Sequence, residues 1–320
     1  MIHRISLSLC VGLIGLLASC SSSSSNEVDT GTPAGQTTER SQSKLSITAS
    51  GFLSDTIVRA EGVLGLRMGQ SLDTAVYKLQ GEAHESSSND ELRYTLLDND
   101  NTSIATIRVA DSKALVIKAI EIEDTRLRTA QNIGVGSTLA DLRGSFKTST
   151  LHSEKALNET LLHADDIQFV LSSYISSEDV LAGTVSSDIT VDRIILERQV
   201  NLGSNSADSK DYICYTRDDN ANKLIWIQFG GKGVAEAIKY AGQSTSINLT
   251  LVSREYIPGG TQPTIVDVYN EIYEGNVNGR YELRKSGNWY YATYIRGSDK
   301  EQFKFTIDHT ADNMTSQPCF

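Results

Sequence analysis

The sequence predicts an α+β fold, and three observations support the prediction. Short stretches rich in β-branched and aromatic residues recur along most of the chain. Two glycine-bearing turns in the first half precede stretches with helical periodicity. Sixteen of the 22 aromatic residues follow position 200. We therefore expect a mostly antiparallel sheet with two short helices, then a β-rich domain, a meander or a small barrel, with one short helix.

The first 19 residues have the features of a secretion signal. Arg4 gives a basic start, and residues 5–17 are almost wholly apolar or small. This stretch is shorter than the roughly 20 residues that span a bilayer. The ending Leu-Ala-Ser-Cys resembles the bacterial lipobox, which implies cleavage before Cys20 and acylation of its thiol. The alternative is an ordinary signal peptide that happens to end in cysteine.

The residue directly after the predicted lipidation site is Ser21 and not aspartate. By resemblance to Gram-negative lipoproteins, this favours sorting to the outer membrane, on the periplasmic side or at the cell surface. Residues 20–49 are rich in Ser, Thr, Gln and Gly, which predicts a flexible tether. A polar stretch near 201–210 marks a linker. The expected domains are therefore residues 50–202 and 208–320.

The elements of the first domain follow from capping and periodicity. Ser71 is a candidate N-cap for a helix over residues 72–79. Thr138 is a second N-cap, and Asp141 stands at its capping-box position. Strand patterns complete the domain, at residues 91–98, 103–111, 114–123, 167–172 and 190–198.

Part of this domain resembles a known family. Residues 117–143 read IKAIEIEDTRLRTAQNIGVGSTLADLR, and residues 191–198 read VDRIILER. These motifs resemble the YfeY-like family of Gram-negative envelope lipoproteins, a domain family of unknown function. The matching residues are Ile120, Ile122, Asp124, Gly134, Gly136, Thr138 and Asp141. The resemblance implies a fold and a compartment for residues 50–200 and no catalytic residue.

The second domain shows the clearest β pattern. Strand patterns cover residues 212–217, 223–229, 245–253, 280–285, 289–296 and 302–309. Residues 234–241 read as a short helix, and residues 266–275 as either a strand or a short helix. Ser286, Gly287 and Asn288 form a hairpin turn between two of the strands.

Two cysteines remain once Cys10 leaves with the signal and Cys20 takes the lipid. In an oxidising compartment, Cys214 and Cys319 are expected to pair and to close the second domain. The alternatives are two free thiols or a metal site. We expect no metal ion and no cofactor, because no histidine or cysteine lies at ligand spacing to either residue.

The hairpin is also the predicted partner-binding site. Residues 289, 291 and 295 share one face of their strand, and residues 290, 294 and 296 share the other. A binding surface would leave Tyr290 and Tyr294 exposed to solvent, since exposed aromatic side chains favour partner binding. The candidate residues are Ser286, Gly287, Trp289, Tyr290, Tyr294 and Arg296.

The second domain also shows a faint resemblance to C-type lysozyme inhibitors. It rests on Ser286-Gly287-x-x-Tyr290, the Arg296-Gly297 pair, a Tyr-x-Cys near the start and a terminal cysteine. Those inhibitors are small, disulfide-closed β-barrels. In that family the SGxxY loop and a Lys-Gly pair enter the lysozyme cleft, whereas here Arg replaces Lys and the spacing is shorter.

These observations favour a non-catalytic protein of the cell envelope. The formal net charge of −11 argues against nucleic acid as a partner. The expected partners are the membrane, through lipid on Cys20, and an unknown protein or glycan. No G-x-S-x-G motif occurs. The alternatives are a lysozyme-inhibitor-like protein and a hydrolase that acts on envelope glycans through carboxylates, which requires a cleft with two carboxylates or a partnered histidine.

Overall fold

The computed structural model describes residues 56–83, 92–110, 114–197, 210–230 and 233–320. Strands make up 54% of these residues and helices only 5%, so the predicted α+β class is wrong. The described chain is nearly all-β. Residues 1–49, with the predicted lipidation site Cys20, and residues 201–209 of the predicted linker lie outside the described residues. No helix in the described ranges is long and apolar enough to cross a membrane.

The first half is dominated by an antiparallel sheet. Its elements are β1 (Ile57–Val58), β2 (Gly62–Val63), β3 (Leu66–Arg67), β4 (Leu79–Ala83), β5 (Leu92–Leu97), β6 (Ser103–Val109), β7 (Ile117–Ile122), β8 (Arg128–Thr129), α1 (Leu139–Ser145), β9 (Thr150–Glu154), β10 (Glu159–Ala164), β11 (Ile167–Leu171), α2 (Ser177–Ala182) and β12 (Val191–Glu197). Neighbouring strands follow the order β4-β5-β6-β7-β12-β11-β10-β9. Two small ladders, β1–β8 and β2–β3, lie outside this sheet.

The second half is a closed barrel of eight antiparallel strands. They are β13 (Asp211–Arg217), β14 (Asn220–Phe229), β15 (Ala235–Tyr240), β16 (Ile247–Ile257), β17 (Thr264–Tyr273), β18 (Asn276–Ser286), β19 (Trp289–Arg296) and β20 (Gln302–Ile307). Pairing of β15 with β16 closes the ring. Of the two arrangements left open for this half, the structure has the barrel.

Strand β16 belongs to both halves. Near its start, Ile247 and Asn248 pair with β15 and close the barrel. Further along, residues 253–256 pair in parallel with β9 of the first sheet. The sheet therefore forks along β16, and one continuous 16-stranded ladder connects the two halves.

Two of the expected helices are absent. The helix predicted after Ser71 does not form. The backbone N–H of Leu72 donates instead to the carbonyl oxygen of Leu115 at 2.9 Å, which is not a helical hydrogen bond. The Asp73 carboxylate accepts from the Ala75 N–H and holds a turn there instead. The predicted helix over 234–241 is strand β15, whose residues pair on both sides. Residues 264–273 form β17, a strand rather than a helix.

Helix α1 is confirmed, with its capping box. The Thr138 hydroxyl accepts from the Asp141 N–H, and the Asp141 carboxylate accepts from the Thr138 N–H. Leu139 and Leu142 are buried in the core of the first half. The sequence analysis missed α2, which begins after the N-cap Ser176 and ends at Gly183 in a left-handed conformation.

Candidate binding surface on the barrel

The β18–β19 hairpin carries most of the predicted partner-binding residues. Ser286 ends β18 and Trp289 begins β19. Gly287 in the turn has a φ of 57°, a left-handed conformation that glycine adopts without strain. The hairpin therefore projects Trp289 at one end of the barrel, where its side chain is 51% exposed.

Trp289 belongs to an exposed group of rings, here called the aromatic patch and defined as Trp289, Tyr291 and His309. The Trp289 and Tyr291 ring planes lie within 8° of parallel, with centroids 6.3 Å apart. The His309 ring meets Trp289 edge-on at 4.8 Å. Arg284 and Thr306 are the cross-strand neighbours of Tyr291, so hydrogen-bonding groups flank the rings.

The opposite face of β19 points into the barrel. Tyr294 is only 7% exposed, so the prediction that it faces solvent is wrong. Tyr290 is half-buried, with the Lys285 ammonium 5.3 Å from the centre of its ring. Alternation along the strand therefore places Tyr291 at the surface, although the sequence analysis did not include it among the candidate residues.

Arg296 is far from the rest of the predicted site. It ends β19, a strand of 8 residues, so at about 3.4 Å per residue it lies roughly 24 Å from Trp289. Its guanidinium pairs with Asp299 at 2.9 Å and Glu301 at 3.0 Å, and it lies 4.8 Å from the centre of the Phe303 ring. The structure therefore does not bring Arg296 and Ser286 to one binding surface.

The interior of the barrel holds a fully buried carboxylate. Glu271 accepts hydrogen bonds from the Tyr240 hydroxyl at 2.9 Å, the Tyr294 hydroxyl at 2.7 Å and the Asn278 amide at 2.6 Å. Tyr281 joins the group through a hydroxyl contact with Tyr240. Burial raises the pKa of all three tyrosines, so their hydroxyls stay protonated and act as donors.

A second buried carboxylate lies nearer the hairpin end of the barrel. Asp267 accepts a bidentate pair of hydrogen bonds from Arg254, at 2.7 and 2.8 Å. It also accepts from the Tyr269 hydroxyl at 3.1 Å, and that hydroxyl accepts from the Ala235 N–H. The hydrogen bonds to Asp267 raise the pKa of Arg254 and keep it charged. These groups support the barrel from within.

Several acidic residues outside the barrel interior serve structural roles. Asp124 and Asp98 both bind Arg126, and these hydrogen bonds lower the pKa of both carboxyls. Asp219 pairs with Arg217, and Asp218 accepts from a threonine hydroxyl. No group of three or more metal-ligating side chains occurs within the described ranges.

Cys214 and Cys319 lie at disulfide-bonding distance, with their Cα atoms 6.3 Å apart. Cys214 is on β13, and Cys319 follows the last strand. A bond between them would connect the first strand of the barrel to the end of the chain.

A cleft of about 530 Å³ lies at the fork of the sheet. His163, Asp165 and Asp166 line it, so it contains the side chains that the hydrolase alternative requires. The two aspartates are exposed and form the β10–β11 turn, both with positive φ. His163 stacks on His152 at 4.2 Å, and burial lowers the pKa of both imidazoles, that of His152 to about 4. The sequence analysis missed this cleft.

Comparisons with known proteins add little. No protein-family model matches the chain, and no curated protein matches it significantly. Among solved structures, the chain is similar to the uncharacterized protein YfeY from Escherichia coli, with 16% identity and a TM-score of 0.34. The match covers 44% of this chain and 99% of that one. This neighbour belongs to the group that the sequence motifs resemble, but at this level the similarity carries no argument about fold or function.

Proposed function

We propose that this protein is a non-catalytic, lipid-anchored component of the cell envelope that binds a protein or glycan partner through the aromatic patch. One observation carries the proposal: Trp289 and Tyr291 stand exposed, side by side and nearly parallel, on the outer face of a rigid barrel. Tryptophan and tyrosine are the residues that most often dominate binding energy at protein surfaces.

The surroundings of the patch favour recognition of a partner. Two large aromatic side chains exposed to water do not stabilise the free protein. Exposed apolar patches of this kind mark interaction sites. Arg284 and Thr306 border the rings and supply hydrogen bonds at the rim. Tyr291 pairs with strands on both sides and Trp289 pairs with Ser286, so the backbone that carries the rings is already ordered and less conformational entropy is lost on binding.

The patch is tested with Trp289→Ala and Tyr291→Ala, singly and together. Binding is measured as co-sedimentation with purified cell-wall sacculi for a glycan, and as site-specific photocrosslinking from the exposed neighbouring position 288 in intact cells for a protein. We expect the double variant to lose at least tenfold in affinity, about 1.4 kcal/mol or more. Tyr273→Ala is the matched control, because Tyr273 is equally exposed, at 53%, and lies at the opposite end of the barrel. Equal loss in the control, or no loss in the double variant, would refute the proposal.

The anchor is tested separately. If Cys20 carries lipid, mass spectrometry of the mature protein finds an acylated N-terminal cysteine, and Cys20→Ala moves the protein from the membrane fraction to the soluble fraction. An unmodified mature N-terminus at another residue would remove the anchor and leave the barrel proposal standing.

A lysozyme inhibitor is the second candidate function. It is favoured by the closed eight-stranded barrel, the Cys214–Cys319 proximity and the Ser286-Gly287 hairpin turn at one end of the barrel. The position of Arg296 at the other end of β19 counts against it, since only one of the two elements can enter a cleft. A lysozyme activity assay with the purified protein decides: inhibition that Ser286→Ala relieves would replace the first proposal.

We do not adopt the hydrolase alternative. Its two carboxylates, Asp165 and Asp166, are adjacent exposed residues of one turn, whereas glycosidase carboxylates flank the scissile bond from separate positions roughly 5–9 Å apart. Release of reducing sugar from sacculi that Asp165→Asn abolishes would reverse this judgement.

A further inference from the structure

The cleft at the fork of the sheet is built from both halves of the molecule. The β10–β11 turn of the first sheet lines one side of the cleft, and the middle of β16 and β17 lines the other. Here β16 has left β15 but has not yet reached β9, so its residues 249–251 pair on one side only, and Val252 lies at a bulge. Small-molecule sites occur preferentially at such junctions, in clefts of about 300–1,000 Å³.

Buried polar groups in the cleft lack partners. Gln168 is only 8% exposed and lines the cleft, yet its side-chain amide makes no hydrogen bond with any residue that the structure describes. Asn270 lies on the opposite wall, and its Oδ1 is buried and has no hydrogen-bond partner among the described residues. Since about nine in ten buried polar groups in proteins are hydrogen-bonded, the buried Asn270 oxygen points to a missing partner, and the Gln168 amide lines the same cleft.

The charged and neutral groups are separated within the cleft. Lys147, Asp165 and Asp166 are exposed and stand at its rim. The inner groups are neutral: Gln168 and the His163 imidazole, which makes no hydrogen bond or ion pair with a described residue. A charged ligand would therefore contact no buried side chain of opposite charge among the described inner residues.

The remaining wall of the cleft is aliphatic. Val252 of β16 and Ile167 of β11 contribute apolar surface, and both belong to the core of the first half. A suitable ligand must offer hydroxyls on one side, which both donate and accept, and carbon-bound hydrogens on the other. Pyranose rings have this character.

We propose that the cleft is a binding site for a neutral saccharide of one or two rings, held by Gln168, Asn270 and His163 and packed on Val252 and Ile167. This site is separate from the aromatic patch and does not depend on the function proposed for it. The sugar hydroxyls supply the hydrogen bonds that the two amides lack.

Isothermal titration calorimetry of the mature protein tests the proposal with glucose, N-acetylglucosamine, cellobiose and N,N′-diacetylchitobiose as probes. We expect at least one to bind in the millimolar range or tighter. Gln168→Leu, which keeps the volume and removes the amide, should weaken that binding roughly tenfold. Thr250→Trp, at an exposed position of β16 beside the cleft, should abolish it by filling the space.

Controls keep the outcomes distinct. Gln243→Leu, at an exposed loop position outside the cleft, should bind as the wild type does. Circular dichroism and the melting temperature establish that each variant is folded, and Gln168→Leu should melt no lower than the wild type, because it removes an unsatisfied amide. Absence of binding by every probe means a merely hydrated cleft and overturns the proposal. Binding that survives both cleft variants also overturns it, whereas loss through Trp289→Ala alone would assign the sugar to the aromatic patch.

Discussion

The two halves of this molecule are both sheets, but their cores are of different kinds. The core of the first half consists largely of Ile, Leu and Val side chains, such as Ile107, Ile120 and Leu139, all with no exposed surface. The core of the barrel contains three fully buried tyrosines, Tyr215, Tyr269 and Tyr281. An aliphatic core needs only volume and shape, whereas a tyrosine core also needs a partner for its buried hydroxyls.

The barrel meets part of this requirement with buried carboxylates. Glu271 and Asp267 are 0% and 6% exposed and together bind Tyr240, Tyr294 and Tyr269. The first half has a related device, since Glu255 accepts from Tyr174 and Ser177, but it lies at the edge that faces the barrel. We infer that stability depends on polar satisfaction in the barrel and on packing in the first sheet.

The largest expected effect concerns the covalent closure of the barrel. A bond between Cys214 and Cys319 closes a loop of 105 residues, which the chain-entropy model values at about 5 kcal/mol. The double variant Cys214→Ala/Cys319→Ala should lose that stability in denaturant unfolding. Hydrogen exchange should show the loss first in β13 and β20. Detection of two alkylatable thiols in the native protein would show that the disulfide is absent. An equal loss of hydrogen-exchange protection in β5 to β7 would contradict the separation of the two cores.

The next effect compares the cores at matched volume. Glu271→Leu leaves the Tyr240 and Tyr294 hydroxyls and the Asn278 amide without their acceptor, and each buried unsatisfied group costs about 1–3 kcal/mol. We expect a total loss of about 4 kcal/mol in urea unfolding. Ile120→Leu in the first half keeps the volume and should lose less than about 1.5 kcal/mol. Similar losses in the two variants would mean that both cores depend on packing alone.

Local patterns predicted most strands of the barrel, missed β9 and β10 and misread β15 as a helix, and they left the closure undecided between a meander and a small barrel. In β20, Phe303, Phe305 and Ile307 alternate with polar residues, and the structure turns all three inward. Closure of the barrel depends on the pairing of Ile238 with Ile247, which no periodic pattern in the sequence predicts. The false helix after Ser71 arose because Leu72 and Leu79 have helical spacing, while contacts with residue 115, distant in sequence, decide the backbone.

The site was predicted in part for similar reasons. Strand β19 has aromatic residues on both faces, so alternation alone allows either Trp289 and Tyr291 or Tyr290 and Tyr294 to face water. The barrel decides, because Tyr294 stacks on Tyr281 at 4.6 Å in its interior. The cleft could not be predicted, since Gln168 and Asn270 are 102 positions apart and meet only where the sheet forks.

A smaller effect is expected at the boundary between the halves. The His152 imidazole stacks on His163, and its strand neighbour across the fork is Arg254. Burial, the His163 ring and the Arg254 charge lower the pKa of His152 from 6.5 to about 4. Above pH 6.5 both folded and unfolded chains hold this imidazole neutral, so it has no effect on stability there. As pH falls from 6.5 to 4, the unfolded chain gains the proton first, and stability falls by about 3 kcal/mol.

This pH dependence is measured by urea unfolding at intervals between pH 7.5 and 4. The range includes the pKa of the imidazole in the unfolded chain, 6.5, and its pKa in the folded chain, about 4. His152→Phe keeps an aromatic ring against His163 and removes the proton site, so its stability should vary less across the window. His309→Phe is the control, because that histidine is exposed in the aromatic patch. If the wild type and His152→Phe follow the same curve, the boundary imidazole titrates as it does in water.

The smallest effect is expected at a helix cap in the first half. The Thr138 hydroxyl accepts from the Asp141 N–H at 3.2 Å, and the Asp141 carboxylate accepts from the Thr138 N–H at 2.8 Å. Thr138→Ala should cost about 1 kcal/mol, since it removes the acceptor for an N–H in the first turn of α1. Thr138→Ser should retain most of the stability, and Thr148→Ala, at an exposed position just after the helix, should change it little. A cap in the aliphatic half thus has about a quarter of the effect of Glu271 in the barrel. A loss of 3 kcal/mol or more at Thr138 would show that polar satisfaction limits stability in both halves.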